Sequence, residues 1–294
     1  MRFDVAIIGG SFAGLSAGLQ LARARRSVAI FDTGMRRNRF AATSHGFLAN
    51  DGRPPGAIVE DARAQLNAYA TVHWFDSAVT GVTGRADAFD LASAGGVRTA
   101  RRVIFAMGVA DELPPVPGLA ERWGRSVFHC PYCHGYELNQ NRIGVIASGP
   151  NSLHQARLLA EWGSVTFFLN GALELSGEEA QELAARKVTV EATPVAGVSG
   201  KARVLLADGR SDDFAGLFTA SRTRPASPLA AHLGCEHEDG PMGPFIKTGM
   251  MKETSVFGAF ACGDLARAAG NVAMAVADGA VAGIAAHASL VFPP

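Results

Sequence analysis

The sequence has little of what a secreted, membrane-spanning or nucleic-acid-binding protein needs. Only four of the 294 residues are cysteines, and two of them, Cys235 and Cys262, stand apart as expected buried small residues, so no disulfide framework is present. Lysine plus arginine equals aspartate plus glutamate at 27 each, which leaves no excess of basic residues for a nucleic acid. We find neither a signal peptide nor an apolar run long enough to cross a bilayer, and therefore expect a cytoplasmic protein without a membrane partner.

What the chain does have is glycine and hydrophobic residues, at 34 residues and 48% respectively, which indicates a folded protein with many tight turns. Its length has room for one large domain or two medium ones. Residues 3–8 have the pattern of a buried strand, residues 14–26 that of a helix and residues 27–31 that of a second strand. This βαβ unit predicts a doubly wound parallel sheet.

A second unit of the same kind follows a proline-rich linker at residues 114–118. The order strand, helix, strand falls there on residues 142–147, 152–162 and 165–169. We therefore predict a second nucleotide-type domain after the linker.

Two stretches carry antiparallel patterns: residues 75–105 hold short strands separated by glycine turns, and Asp208-Gly209 marks a hairpin. The segment 255–287 is too short to bury a core by itself, and we assign it to the first domain. The prediction is an α/β protein with two dinucleotide-binding, Rossmann-like domains, the second inserted in the first, and with antiparallel β-meanders. The predicted bounds are residues 1–113 and 247–294 for the first domain and 114–246 for the inserted domain.

The segment GGSFAG at residues 9–14 lies between the first strand and its helix, where backbone N–H groups and the positive helix end can hold a pyrophosphate. Ser11 stands where the usual fingerprint has glycine, so the match is imperfect. Asp32 ends the second strand about where an acid accepts from a ribose hydroxyl. We predict dinucleotide binding by Gly9, Ser11, Gly14 and Asp32; the alternative is a tight turn without a ligand.

The stretch HCPYCHGYE at residues 129–137 is the most informative one in the sequence. Cys130 and Cys133 can close a small ring stiffened by the proline between them, and the flanking imidazoles can stabilise a thiolate and move its proton. The same pattern, Cys-x-x-Cys-His, also marks c-type haem attachment, which requires export. A zinc site is a second alternative, but it would require a second ligand pair at a suitable spacing. A purely structural pair is a third alternative to a redox pair.

Two further segments extend these motifs to a family resemblance: AFACGD at residues 259–264 and FAMG at residues 105–108 look like flavin motifs. Together with the Cys-x-x-Cys and the second nucleotide motif, they follow the order found in the thioredoxin reductase family. The resemblance implies FAD as the cofactor. Because flavin motifs lie on both sides of it, we interpret the cysteine pair as redox-active.

The resemblance also implies which residues contact the flavin. Gly108 and Gly263 lie in the two flavin motifs, and Asp264 would bind the ribityl and phosphate region. Asn271 and Val272, at the start of the last helix, would neighbour the pyrimidine ring, although Gly270-Asn271 stands where the reductases have Arg-Gln.

By the same resemblance, Cys133 faces the flavin and Cys130 exchanges with the substrate. His134 stands where the reductases carry an acid–base aspartate, and its reference pKa of about 6.5 would permit proton transfer in either direction near neutral pH. The string CPYCHGYE looks more like the dithiol oxidase branch of gliotoxin and holomycin biosynthesis than like the housekeeping reductases.

The second nucleotide motif is weakened relative to the reductases, with Ala147 in place of the first glycine and Ser152 in place of the usual alanine. At the tip of the next strand, Asn170-Gly171 replaces the cations that bind the 2′-phosphate of NADPH. That phosphate would lose charge-assisted bonds of about 1.5–3 kcal/mol each. NADPH is therefore disfavoured, and NADH use is left open.

The loop after the second strand contains His45, for which we weigh a second proton-carrier role against a plain hydrogen-bonded loop histidine. Arg36, Arg37 and Arg39 precede it. They could reach the FAD phosphates or adenine, but we expect them to be a solvated charge cluster and leave them out of the predicted site.

We predict an FAD-dependent thiol–disulfide oxidoreductase that cycles a Cys130–Cys133 disulfide, and in the leading interpretation it oxidises a small dithiol and passes electrons to oxygen or another acceptor. The alternatives are an NAD(P)H-dependent reductase of a thioredoxin-like protein and a non-catalytic flavin redox sensor. The family suggests a homodimer, and the small-residue helix 273–288 has faces suited to close packing.

Overall fold

The computed structural model describes residues 2–292, which form seven α-helices and nineteen strands. The helices are α1 (Phe12–Arg23), α2 (Pro55–Asn67), α3 (Pro131–His134), α4 (Asn151–Leu159), α5 (Gly177–Ala185), α6 (Leu229–His232) and α7 (Val272–Val291). The strands are β1 (Arg2–Ile8), β2 (Val28–Phe31), β3 (Val72–Phe75), β4 (Val79–Arg85), β5 (Ala88–Ser93), β6 (Gly96–Phe105), β7 (Val109–Glu112), β8 (Val127–Phe128), β9 (Arg142–Ile146), β10 (Ser164–Phe168), β11 (Thr189–Glu191), β12 (Val195–Ser199), β13 (Arg203–Leu206), β14 (Ser211–Asp213), β15 (Gly216–Phe218), β16 (Arg222–Pro225), β17 (His237–Gly240), β18 (Gly243–Ile246) and β19 (Ala259–Ala261).

The first sheet has seven strands in the order β3-β2-β1-β6-β5-β4, with β19 also paired to β6. The strands β3, β2, β1, β6 and β19 run parallel, and β4 and β5 form an antiparallel meander against β6. All four residues of β2 are buried, as expected of a central strand covered on both faces. Strand β19 thus belongs to the first sheet. We expected this of the segment 255–287 because it is too short to bury a core of its own.

Helix α7 packs on α1 through small residues. A Cβ atom at Gly279 would overlap the carbonyl oxygen of Ala13, and one at Gly283 would lie 2.6 Å from the carbonyl oxygen of Ala17. The expectation that no apolar run could span a bilayer was wrong by length and composition, because α7 has 20 residues and a mean hydropathy of 1.5. In this fold α7 is a core helix, and 44% of its most apolar stretch is buried inside the protein.

The second sheet has five parallel strands in the order β11-β10-β9-β15-β8. A separate antiparallel sheet, β12-β13-β14, accompanies it, and β7 pairs with β16 where the chain passes between the two main sheets. The predicted class, two Rossmann-like units with antiparallel meanders, is confirmed.

The bounds of the inserted unit stay a prediction. Strands β9, β10 and β15 lie within residues 114–246, as proposed, but the last part of that range packs elsewhere. The side chains of Leu229, Ala230 and Ile246 belong to a buried cluster with Phe3 and Phe105 of the first sheet. The segment that contains α6 and β18 is therefore part of the first hydrophobic core.

Candidate redox site

The carboxyl ends of four neighbouring strands bring the predicted flavin motifs to one edge of the first sheet. Gly9 directly follows β1, Asp32 directly follows β2, Gly108 follows β6, and Gly263 follows β19. These four strands are contiguous in the sheet order β2-β1-β6-β19. In open α/β sheets this edge is where ligands bind.

Close backbone packing shapes a cradle at this edge. Gly9 adopts a φ of 107°, and a Cβ atom there would overlap the carbonyl oxygen of Ala106. A Cβ atom at Gly14 would overlap the carbonyl oxygen of Gly9, so α1 can begin this close to the strand only with glycine. The N–H of Gly10 donates to Asp32 Oδ1 at 3.1 Å, which fixes the acid beside the loop.

The first turn of α1 has the donors that a pyrophosphate requires. Ser11 is the N-cap residue in extended conformation, and its side chain makes no capping hydrogen bond. The N–H groups at this helix start thus remain directed at the cradle, together with the positive end of the helix dipole. The residues present therefore fit a dinucleotide such as FAD, with Gly9, Ser11 and Gly14 at the phosphates and Asp32 at a ribose.

The last two predicted flavin contacts open α7. Asn271 is the N-cap of that helix, and its Oδ1 accepts from the backbone N–H of Met274 at 2.9 Å. Val272 is the first helical residue. The Oδ1 of Asn271 therefore caps the helix. The polar groups left for a cofactor are the rest of the Asn271 side chain and the N–H groups at the helix start.

The cysteine pair lies at the corresponding edge of the second sheet, just after β8. Cys130 is the N-cap of the short helix α3, and Cys133 lies inside it. Both are free thiols and partly buried, and the Cys133 N–H donates to the Cys130 carbonyl at 3.2 Å. Two sulfurs held by one helical turn at this spacing are suited to thiol–disulfide exchange.

The two sulfurs differ in acidity. A hydrogen bond from the Cys133 thiol lowers the pKa of Cys130. The same bond, together with burial, raises the pKa of Cys133 strongly. Of the two thiols in the reduced pair, Cys130 is therefore the more acidic.

His134 stacks on Phe128 with ring centroids 4.2 Å apart. Burial, and then the charge of His45, lower the pKa of His134 to about 4. The imidazole is therefore neutral at neutral pH, which corrects the expectation of proton transfer in either direction: His134 supplies no standing positive charge to a thiolate and is a weaker base than a free histidine.

His45 lies in the loop after β2 and is close to two carboxylates. Its Nδ1 lies 3.4 Å from Glu137 Oε1, beyond the cysteine helix, and 3.5 Å from Asp51 Oδ1. Its Nε2 lies 3.0 Å from Thr43 Oγ1. The loop histidine thus bridges the first unit and the Cys-x-x-Cys segment.

Sequence reasoning missed Arg37, which was expected to be solvated. Its side chain turns inward, and its guanidinium pairs with both oxygens of Asp111 and, at 2.8 Å, with Asp264 Oδ2. Burial opposes the charge, but the two carboxylates outweigh it and raise the pKa of Arg37. The sequence around Arg36, Arg37 and Arg39 does not indicate which of the three side chains turns inward.

A second missed feature connects Asp111 to the cysteine segment. Ser221 Oγ donates to Asp111 Oδ1 at 3.0 Å and lies 3.4 Å from Nδ1 of His129, the residue before Cys130. Burial, and then the charge of Arg37, lower the pKa of His129. Asp111 and Ser221 lie on or next to the paired strands β7 and β16, whose pairing the sequence did not predict.

The second dinucleotide motif, at the start of α4, forms hydrogen bonds within the chain itself. Ser152 is fully buried, and its Oγ accepts from the backbone N–H of Ser148 at 2.9 Å. Pro150 provides no N–H at the helix start. Asn151 Nδ2 donates to the carbonyl oxygen of Pro241, which ties the helix start to the loop before β18.

The tip of β10 also lacks what a 2′-phosphate requires. Asn170 adopts a φ of 51°, and its Oδ1 accepts from the N–H of Val195 at 2.9 Å. Gly171 follows it with a φ of 64° and has no side chain. The tip is therefore a neutral turn whose one polar side chain is already hydrogen-bonded.

Known proteins resemble this chain over nearly its whole length. The model of the family described as pyridine nucleotide-disulphide oxidoreductase matches residues 3–279. Thioredoxin reductase sirT of Leptosphaeria maculans is 34% identical and covers 96% of this chain and 92% of its own length. Thioredoxin reductase tcpT of Claviceps purpurea is 35% identical, over 98% of this chain and 94% of its own.

Two crystal structures extend the comparison. The oxidoreductase from Agrobacterium tumefaciens is 54% identical with a TM-score of 0.98, and the match covers all of both chains. HlmI is 37% identical with a TM-score of 0.91, over 99% of this chain and 93% of its own. The resemblance to thioredoxin reductases, inferred from motif order, is thereby confirmed.

Proposed function

The chain belongs to the pyridine nucleotide-disulphide oxidoreductase family, and from this premise we propose that it is an FAD-dependent dithiol oxidase. Membership makes it a thioredoxin reductase-like oxidoreductase acting on sulfur groups, for which the family implies FAD, and the non-catalytic sensor is thereby set aside. The observation that carries the oxidase proposal is the contrast between the two helix starts. At α1 the Ser11 side chain makes no capping hydrogen bond, whereas at α4 Pro150 lacks an N–H and Ser152 Oγ already accepts from the N–H of Ser148.

The proposed first half-reaction is carried by the cysteine helix. With the pair oxidised, one thiolate of the substrate attacks Cys130, the S–S bond to Cys133 breaks, and a mixed disulfide with Cys130 forms. The second substrate thiol attacks the mixed disulfide and releases Cys130 as a thiolate. The substrate loses two electrons and two protons and becomes a disulfide, while the cysteine pair gains the two electrons.

The neutral imidazole of His134 supports the proton movements of this exchange. At neutral pH His134 is neutral and has a free ring nitrogen for the proton of a substrate thiol, but burial, which holds its pKa near 4, makes it a weak base. The lowered pKa of Cys130 makes it the better leaving group when the mixed disulfide is resolved. Glu137 Oε1 lies 3.4 Å from Nδ1 of His45, whose charge also acts on the pKa of His134.

The cradle residues would hold the cofactor beside this pair. Gly9, Ser11 and Gly14 would bind its phosphates, Asp32 a ribose, and Gly108, Gly263, Asp264, Asn271 and Val272 the flavin end. When bound, FAD supplies the two-electron acceptor that returns the pair to the disulfide and passes electrons to oxygen or another acceptor. The charge of Asp264 acts on the pKa of Cys133, which supports the approach of this sulfur to the flavin site.

The second candidate is an NAD(P)H-dependent reductase of a thioredoxin-like protein. It is favoured by the printed names of the curated relatives, which are thioredoxin reductases. Two features disfavour the binding of NADPH. The tip of β10 at Asn170 has no positive charge, and Pro150 has no N–H to donate at the start of α4.

Anaerobic reduction of the flavin-loaded protein distinguishes the two. We expect dithiothreitol, a small dithiol, to bleach the flavin rapidly, and NADPH or NADH to do so far more slowly. Cys130→Ser is the matched control, because it should lose reduction by the dithiol while it keeps the same nucleotide cradle. Rapid, saturable reduction by NADPH in the unmodified protein would favour the reductase and contradict the oxidase proposal.

The proposal includes a homodimer in the cytoplasm. The homodimer is supported by the resemblance to thioredoxin reductases, and sedimentation of the purified protein measures it. The cytoplasmic location is supported by the redox use of a close cysteine pair in a chain without a disulfide framework.

A further inference from the structure

The buried glutamine Gln155 contacts the segment that leads into the cysteine helix. It lies on α4, and only 5% of its surface is exposed. Its Nε2 donates to the carbonyl oxygen of His129, the residue before Cys130, at 2.6 Å. Because a carbonyl oxygen can only accept, this contact also determines which end of the amide faces His129. Helix α4 is therefore hydrogen-bonded to the chain immediately before the redox pair.

The other end of the same amide is buried without a partner. Within residues 2–292, Gln155 Oε1 makes no hydrogen bond, although it is shielded from solvent. Burying one end of an amide unpaired costs free energy that offsets what its single hydrogen bond contributes. The stability of the fold therefore does not explain why a glutamine stands here rather than an apolar residue.

The hydrogen bond holds one of the two peptide units that flank Cys130. A peptide unit is planar, so a fixed His129 carbonyl also fixes the direction of the Cys130 N–H. On the other side, the Cys130 carbonyl accepts from the N–H of Cys133 at 3.2 Å, and the ring of the buried Pro131 fixes the next backbone torsion. With both units held, the Cα–Cβ bond of Cys130 has one direction, and the place of the sulfur depends only on the side-chain torsion.

The side chain of His129 is held by a different part of the second sheet. Its Nδ1 lies 3.4 Å from Ser221 Oγ, and a hydrogen bond with the backbone of Thr219 acts on its pKa. Thr219 directly follows β15, and its N–H donates to the carbonyl of Phe128 at 3.0 Å. The side chain of His129 is thus held by the segment after β15, and its carbonyl by Gln155 on α4.

We propose that Gln155 is a positioning residue for Cys130, because it holds the peptide unit before this cysteine and so keeps the sulfur in place for thiol–disulfide exchange. In that exchange the substrate sulfur attacks Cys130 while the bond to Cys133 breaks, and a small displacement of the central sulfur lowers the rate. The inference deepens the proposed function and rests on it for the role of Cys130. Helix α4, whose start resembles a nucleotide motif, then serves the cysteine pair.

The test measures how fast a small dithiol opens the Cys130–Cys133 disulfide. Oxidised, flavin-loaded protein is mixed with dithiothreitol without oxygen, quenched with acid at intervals and alkylated, and the disulfide that remains is counted by peptide mass analysis. Gln155→Met keeps the length of the side chain and the helix propensity but removes the donor. We expect the second-order rate constant of opening to fall about tenfold.

Gln155→Glu provides a readout that a purely structural role would not give. Its protonated carboxyl group can donate to the His129 carbonyl, whereas the ionised carboxylate can only accept. Burial would raise the pKa of this carboxyl group above its ordinary value of about 4.3. We therefore expect its rate, divided by that of the unmodified protein at the same pH, to be near one at about pH 5.5 and to fall towards the Gln155→Met ratio as the pH rises.

Ser126→Ala is the matched control. Ser126 is 5% exposed, and its Oγ donates to the carbonyl oxygen of Lys201, so the variant also removes a buried bond from a side chain to the backbone. It lies before β8, at the end of that strand remote from Cys130. The rate of opening should not change in this variant. Urea unfolding and flavin content, measured on each sample, report stability and loss of cofactor separately.

A lower rate in Gln155→Met with an unchanged rate in Ser126→Ala supports the proposal. Equal rates in Gln155→Met and the unmodified protein overturn it, and so does an equal loss in Ser126→Ala, which would show a general loosening of the second unit. If Gln155→Met does not fold, Gln155→Glu decides alone, and a ratio that is the same at every pH overturns the proposal. Because the thiols themselves are counted, the result needs no nucleotide and no electron acceptor. Rapid reduction by NADPH would overturn the oxidase proposal and leave this result standing.

Discussion

Replacing His134 with glutamine should make the protein less sensitive to acid. Burial and the charge of His45 lower the pKa of His134 to about 4 in the folded state, whereas an unfolded histidine titrates near 6.5. Between these values the unfolded chain binds more protons than the folded one, so the free energy of unfolding falls as the pH falls. Above the unfolded pKa the imidazole is neutral in both states and contributes no pH dependence.

The size of the effect follows from the two pKa values. The difference of about 2.5 pKa units corresponds to at most about 3.4 kcal/mol, reached only below the folded pKa. At about pH 5.5 the loss is about 1.4 kcal/mol relative to pH 8, because only the unfolded chain is then largely protonated. His134→Gln cannot take up this proton and should not show this part of the loss.

Urea unfolding followed by circular dichroism, at pH 8 and at about pH 5.5, measures the difference. His129, whose pKa burial also lowers, is present in both proteins and cancels in the comparison. His154→Gln on the exposed side of α4 is the matched control and should behave like the unmodified protein. If His134→Gln loses as much stability as the unmodified protein does, then His134 is not held neutral, and its assignment as the proton acceptor fails.

Three further predictions concern the cofactor, the nucleotide and the sulfurs. Gly14→Val should lower the flavin content measured by absorbance, because even a Cβ atom there overlaps the carbonyl of the first cradle glycine. Arginine at both Asn170 and Gly171 should raise the rate of flavin reduction by NADPH relative to NADH, measured by stopped flow; an unchanged ratio would contradict this view of the β10 tip. Cys130→Ser removes the hydrogen bond with Cys130 that most raises the pKa of Cys133, so at alkaline pH it should add a long-wavelength absorption shoulder to the bound flavin that fades on acidification. Cys133→Ser should not show the shoulder, and the reverse result would exchange the roles of the two sulfurs.

The fold could be predicted because its signals are local. A strand, a glycine turn and a helix within residues 3–31 are enough to indicate a βαβ unit, and the same order recurs at residues 142–169. The return of β19 to the first sheet followed from the inability of a short segment to bury its own core. The packing of Leu229 and Ile246 on the first sheet was not predictable in this way, because a helix and a hairpin can cover either of two neighbouring units.

In the site, residues that follow a strand directly were predictable and residues that meet through long-range contacts were not. Cys130 and Asp32 each follow a buried strand, so their place at a sheet edge is a consequence of their position in the chain. Arg37 meets Asp111 and Asp264 only after both sheets have formed, and nothing near it in the sequence specifies the inward turn. The neutrality of His134 likewise depends on burial, which a reference pKa does not include.

The starts of α1 and α4 each follow a strand and a glycine-containing turn, and the differences between them bear on the direction of electron flow. At α1, Ser11 leaves its side chain out of the cap, and the glycines on either side admit a pyrophosphate to the N–H groups. At α4, Pro150 removes one N–H, and the buried hydroxyl of Ser152 takes another from Ser148. A nucleotide bound at α4 would have to break that internal bond and gain no cation at the β10 tip, whereas a dinucleotide at α1 finds its donors free. These two helix starts support the proposal that electrons reach the flavin from the cysteine pair rather than from a nicotinamide nucleotide.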